Sequence, residues 1–214
     1  MSHPALSPTL AVFVLASLIL AVTPGPGVIY LVTRTLAGGR RAGLASVGGV
    51  ALGNLGNAAL ASVGLAAVLA VSARAFTAVK LAGAAYLLYL GIRELRRARR
   101  APPGGQTRPP VTRRRVFRDG FLVALLNPKT ALFFGAFLPQ FVDPARPPLA
   151  QSLALGAAFV AIAVCTDTLY VLAAARLGPR IAHFGMRPAL TRLAGFSFIA
   201  LGLVVACSDS RSTR

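Results

Sequence analysis

The sequence predicts an all-α membrane protein, with six transmembrane helices forming two inverted three-helix repeats and broken helices in spans one and four. Three observations lead there: an apolar composition poor in charge, six apolar stretches of spanning length, and a helix-breaking motif in the opening span of each half.

Of 214 residues, 56% are hydrophobic and only 13% are charged, where an ordinary soluble domain carries about 25% charged residues. A chain of this length cannot bury so much apolar surface and still clothe its outside with so few charges. The 23 Lys and Arg against 5 Asp and Glu give a net charge of +18, a balance that raises nucleic acid as a partner. Its distribution argues otherwise. Ten of the 23 basic residues fall between Arg93 and Arg118, among Pro102-Pro103-Gly104-Gly105 and Pro109-Pro110, which reads as one solvated basic loop on a membrane protein. Cys165 and Cys207 stand far apart in apolar segments and are expected to be small buried hydrophobes rather than a disulfide or a redox pair.

A bilayer core of about 30 Å takes about 20 apolar residues of helix. Six stretches qualify: Thr9–Val32, Gly43–Val71, Ala75–Ile92, Asp119–Phe141, Leu149–Ala175 and Ala189–Cys207. Met1–Val22 holds no Lys or Arg, so the first is expected to be a retained span rather than a signal peptide. With both termini outside, seventeen basic residues lie on the inner side and four on the outer. The positive-inside bias therefore predicts a cytoplasmic loop at residues 93–118 and external termini.

The halves are residues 1–92 and 119–214. Lys80-Leu81-Ala82-Gly83 with Leu90-Gly91 in span three parallels Arg192-Leu193-Ala194-Gly195 with Leu201-Gly202 in span six. Span one is interrupted by Thr23-Pro24-Gly25-Pro26-Gly27 and span four by Asn127-Pro128-Lys129. Three spans per half is an odd number, so the second half enters the membrane inverted. Inverted repeats with discontinuous helices are a secondary-transporter architecture, and the breaks point to the substrate site. Backbone groups freed there need helices, water or a ligand to satisfy them.

At these residues the sequence resembles the lysine-exporter (LysE/RhtB type) family of amino-acid efflux proteins. Thr23-Pro24-Gly25-Pro26 is similar to its TPGP signature. Asn127-Pro128-Lys129, followed by Phe133-Phe134 and Phe137-Leu138-Pro139-Gln140-Phe141, is similar to its NPK segment. Lys80, Gly83, Tyr86, Leu87, Tyr89, Leu90 and Gly91 match its third-span pattern. The resemblance runs over nearly the whole chain. It implies a bacterial inner-membrane exporter of amino acids or related metabolites, driven by protons, with no cofactor.

Ionisable groups at membrane depth are costly and mark function or pairing. Counting helical rise from the cytoplasmic arginines puts Asp167 at ~14 Å, Pro24 at ~15 Å and Lys129 at ~16 Å, with Asn54 and Lys80 at ~20 Å. Candidate transport-path residues are therefore Thr23, Pro24, Gly25, Pro26, Asn54, Asn127, Pro128, Lys129 and Asp167. Lys80 is a secondary candidate, since near a span end it can instead snorkel to the interface. Asp167 is the sole acid well inside a span; Glu94, Asp119, Asp143 and Asp209 sit near interfaces. It reads either as a proton-exchange site or as a static partner of Lys129. Gly49, Gly53, Asn57 and Ala61 form a small-residue stripe expected to pack helices, and Phe133, Phe134 and Phe137 to face lipid or pack.

No HExxH, GxSxG or phosphate-binding GxxxxGK[ST] occurs, so neither an enzyme nor an ATP-driven pump is expected. Metal or other ion efflux, and a passive channel, are the alternatives; a metal site would want several Asp, His, Cys or Met ligands at mid-depth. Whether the unit is a monomer or a homodimer is left open.

Overall fold

Proline and glycine set the interruptions at residues 23–26, 39 and 126–128, although Pro179 lies inside a continuous helix. The computed structural model describes residues 8–64, 73–99, 112–143, 145–183 and 187–207, and these are helical with short connections and no strand. In order they are α1 (Pro8–Val22), α2 (Pro26–Ser62), α3 (Ala73–Arg99), α4 (Arg113–Leu125), α5 (Pro128–Leu132), α6 (Pro148–His183) and α7 (Arg187–Cys207). A π turn over Phe133–Phe137 and a 3-10 turn over Leu138–Phe141 continue α5. The expected ends of the chain, residues 65–72 of span two and the Pro-rich middle of the basic loop lie outside the described residues. α3 and α4 run further into that loop than apolarity alone suggested, to Arg99 and back to Arg113. Hydropathy ends a span at the first arginines, whereas arginine sustains a helix well.

Both expected breaks are present. The first lies between Val22 and Pro26, and the second between Leu125 and Pro128, where the axis bends by 47°. α2 is interrupted as well: Gly39 has φ +74° and ψ −177°, a conformation open to glycine and strained for other residues. There the chain folds back on itself, so that Gly43 packs against Thr35 and Gly27 faces Val50. By length and apolarity two helical runs, Pro26–Ser62 with its turn at Gly39 and Pro148–Pro179 of α6, are long enough to cross a membrane. The bent run Arg113–Phe141 makes a third if counted as one broken span.

Close backbone approaches set the packing directions. The second limb of α2 runs parallel to α4, with Gly49 on the Phe117 carbonyl and Gly53 on that of Phe121. α6 runs antiparallel to the same limb, matching Val171 to Gly43 and Gly156 to Ala58. α3 lies antiparallel to α7, where Gly91 meets Gly195 and Ala84 meets Gly202. The small-residue stripe of α2 thus packs helices, as expected of it.

Three apolar clusters fill the interior. Phe13, Phe133, Phe134 and Phe159 form one with Leu138 and Val160. Tyr30, Leu87, Leu90, Val123 and Phe198 form the second, and Leu31, Val47, Val50, Ala124 and Val171 the third. Cys165 and Cys207 are unpaired but depart from the expected burial, since both face outward. Apolarity is equally suited to a core and to a lipid-facing surface, so a hydrophobic residue in a span carries no azimuth of its own.

A methyl group at Gly49 would fall on the Phe117 carbonyl, whereas one at Gly178 would have its nearest neighbour, Leu36, at 4.0 Å. Gly49→Ala should therefore destabilise by about 1–3 kcal/mol, as overpacking does. Gly178→Ala should be neutral or stabilising. Thermal melts of the two purified variants, read beside the parent, check this.

Candidate functional site

Each helix break exposes backbone groups that no ladder satisfies. At the first, Pro24 denies the chain a donor and Pro26 starts α2 at its first position behind Gly25, whose backbone is extended. The carbonyls ending α1 are left seeking donors. Thr23 turns its hydroxyl back onto the Ile19 carbonyl at 2.6 Å, and Tyr170 of α6 donates its hydroxyl to that of Val22 at 2.7 Å.

The second break supplies the remaining donor. Asn127 caps α5 by accepting the Lys129 backbone N–H at 3.1 Å, with Pro128 at the first helical position. This capping holds Lys129 one residue into the new helix and aims it across the molecule. Its Nζ donates to the Leu20 carbonyl at 2.9 Å and the Thr23 carbonyl at 2.8 Å. Gly25 leaves room for the stem, since even a Cβ there would sit 3.6 Å from Lys129 Cδ. On the other side of the break, Asn57 donates to the Ala124 carbonyl at 2.9 Å.

Between the breaks lies a cavity of about 50 Å³. Thr23, Gly25, Asn54, Asn127, Lys129 and Asp167 all line it, beside the apolar Val50, Phe159 and Ala163. Six expected site residues from four segments are thereby brought together. Pro24, Pro26 and Pro128 shape the backbone around it without lining it, and Lys80 lies on α3 with its side chain outside the described residues. Asp167 is buried in α6, one turn before Tyr170. It forms no salt bridge with Lys129, because the ammonium is turned toward the α1 carbonyls. A static Asp167–Lys129 pair, one of the two readings of the sequence, is absent from the structure. Phe133 and Phe134 are core residues beside this site and pack on Phe159.

A second polar constellation escaped the sequence reading. Arg34 on α2 and Glu94 on α3 form a buried salt bridge at 2.6 Å, with side chains 3% and 2% exposed. Next to it, Arg93 pairs with Asp119 at 2.5 Å, and Tyr86 donates to the same carboxylate at 3.3 Å. The Tyr30 hydroxyl reaches the Val116 carbonyl at 2.7 Å, with the Arg34 guanidinium over its ring. Glu94 and Asp119 were placed near an interface by position alone. The signal available was scarcity: a chain with five acids that puts two of them beside helical arginines has reason to pair them.

Two substitutions separate these constellations. Lys129→Met should leave the Leu20 carbonyl without a donor and cost about 1–3 kcal/mol, lowering the melting temperature of the purified protein. Glu94→Gln should cost more, about 3–5 kcal/mol, because it strands a buried guanidinium. The yield of monodisperse protein after extraction is the sensitive readout for the second.

Comparison with known proteins places the chain among relatives. A family model described as LysE type translocator matches residues 18–209. The chain is 34% identical over 196 residues to the homoserine/homoserine lactone efflux protein of Salmonella typhimurium, covering 91% of this chain and 94% of that protein. It is 33% identical over 199 residues to an uncharacterized membrane protein of Vibrio cholerae, covering 92% and 96%. With the leucine efflux protein of Salmonella choleraesuis it shares 26% identity over 135 residues, 63% of this chain and 64% of that one. No solved structure matches it.

Proposed function

The chain belongs to the LysE type translocator family, a family of transporters rather than enzymes, and from that premise we propose that it exports amino acids or related small metabolites across the bacterial inner membrane in exchange for protons. The observation that carries this reading is the cavity that Lys129 and Asp167 share between the two breaks. An ammonium and a carboxylate facing one space complement a zwitterion. An ammonium has three N–H donors; two of Lys129's are on Leu20 and Thr23, which leaves one for a substrate carboxylate. Asp167 would meet the substrate ammonium. The efflux relatives, named for homoserine and for leucine, support the same substrate class.

At about 50 Å³ the cavity holds a few waters. Sites for small molecules run to about 300–1,000 Å³, so this conformation is a closed one and transport requires the walls to part. Asp167 serves as the exchangeable proton site: a buried carboxylate without an ion-pair partner among the described residues can take up a proton from one side and release it to the other.

Topologically the reading uses six crossings in two inverted halves, residues 1–92 and 119–214, with the basic loop cytoplasmic and both termini external. The packing supports it. The second limb of α2 runs parallel to α4 and antiparallel to α6, and α3 runs antiparallel to α7, the directions that alternating crossings require of these spans. The Gly91–Gly195 and Ala84–Gly202 contacts are reciprocal under the Leu90-Gly91/Leu201-Gly202 correspondence, the pattern a two-fold relation produces. Metal efflux finds no support: among the described residues no three His, Cys, Asp or Glu converge.

Vesicles of purified protein, preloaded with a panel of amino acids under an imposed pH gradient, test the proposal. The parent should move substrate against its concentration gradient. Asp167→Asn should fold, lose gradient-driven transport and keep substrate exchange, because exchange moves no net proton. Downhill flux alone from the parent would indicate a channel, and full gradient-driven transport by Asp167→Asn would remove it as the proton site.

A further inference from the structure

A groove of about 680 Å³ lies on the outer surface between the second limb of α2 and the start of α4, away from the central cavity. Its mouth carries Arg114, Arg115 and Arg118, and its floor Leu52, Phe117 and Phe121. The guanidiniums have little to neutralise them: Arg118 makes only a loose pair with Asp119 at 3.7 Å, itself 66% exposed. The adjoining residues 100–111 contain two further arginines and no acid, so that segment carries no counter-charge. The floor is apolar yet open, with Leu52 46% and Phe117 37% exposed.

Its two ends differ in depth. From Thr112 to Phe121 a helix rises ~14 Å, which takes the groove from the cluster of basic residues down into the apolar band. A small inorganic anion would use the arginines and waste the floor. A neutral lipid would use the floor and waste the arginines. We propose that this groove binds an anionic glycerophospholipid, the phosphate on Arg114 and Arg115 and an acyl chain along Leu52, Phe117 and Phe121. Basic pockets at the membrane interface recognise acidic head groups in this way. The inference rests on the chain spanning a membrane, not on its substrate or coupling ion.

The test uses the full chain in mild detergent, with phosphatidylglycerol, phosphatidylcholine and inorganic phosphate as probes. Bound lipid is counted by native mass spectrometry and affinity read from thermal stabilisation. The parent should bind phosphatidylglycerol in preference to phosphatidylcholine. The Arg114→Gln, Arg115→Gln variant should weaken that binding about tenfold to thirtyfold, taking about 1 kcal/mol per basic residue. Leu52→Trp, which fills the floor without touching charge, should weaken it too. Arg40→Gln, Arg41→Gln removes equal charge at the Gly39 turn and should leave it unchanged. Equal binding of the two lipids, equal loss in the control pair, or displacement by inorganic phosphate would each overturn the proposal. Export is measured in parallel after the same preparation is reconstituted into vesicles: loss of lipid selectivity with export intact discards the groove alone, and loss of export with selectivity intact discards the translocation mechanism alone.

Discussion

Hydrocarbon offers a backbone carbonyl no hydrogen bond, so a helix broken inside a membrane must be completed by something else in the protein. Here one ammonium does it. Lys129 leaves the second break and donates to the Leu20 and Thr23 carbonyls of the first. Much of the interior follows from that crossing. Asn127 caps α5 and so aims the side chain, Gly25 lies against its stem with room to spare, and Tyr170 serves the Val22 carbonyl that Lys129 does not reach. The cavity exists because two helices stop on either side of this bridge instead of running through it.

The helix breaks, the all-helical character and the packing stripe were legible in the sequence, because each is set by local chemistry. Pro24, Pro26 and Pro128 end or start helices wherever they occur, and Gly49 and Gly53 recur at the spacing of one helical face. The partners of Lys129 were not legible. They are main-chain carbonyls about a hundred residues away, and a side-chain pattern cannot announce them; opposite charge suggested Asp167 instead. Tyr170 was missed for the same reason.

The buried pairs at the other end of the bundle teach a related point. Glu94 and Asp119 were read as interface acids, because apolarity ends a span where charge begins, yet both side chains are buried. Arg34, Arg93, Glu94 and Asp119 instead continue the helices and turn inward, each cation facing an anion on a neighbouring element. Burial of an ion pair is sustainable only with such matching. What the sequence lacked was azimuth, and the outward Cys165 and Cys207 were misjudged through the same gap.

The turn at Gly39 bears on how such a bundle deforms. A single residue at positive φ joins the limbs of α2, and Thr35 already touches Gly43 beside it. With no slack in the join, the limbs behave as one stiff lever: a tilt imposed on either is handed to the other and on to α4, locked against it through Gly49 and Gly53. α1 is mounted differently. It is joined to that lever through Thr23-Pro24-Gly25-Pro26, a short link whose two prolines also restrict the residues before them. Movement of α1 against that lever is therefore opposed, among the described residues, by the hydrogen bonds at Val22 and Thr23 and by the packing around Phe13 rather than by continuous helix.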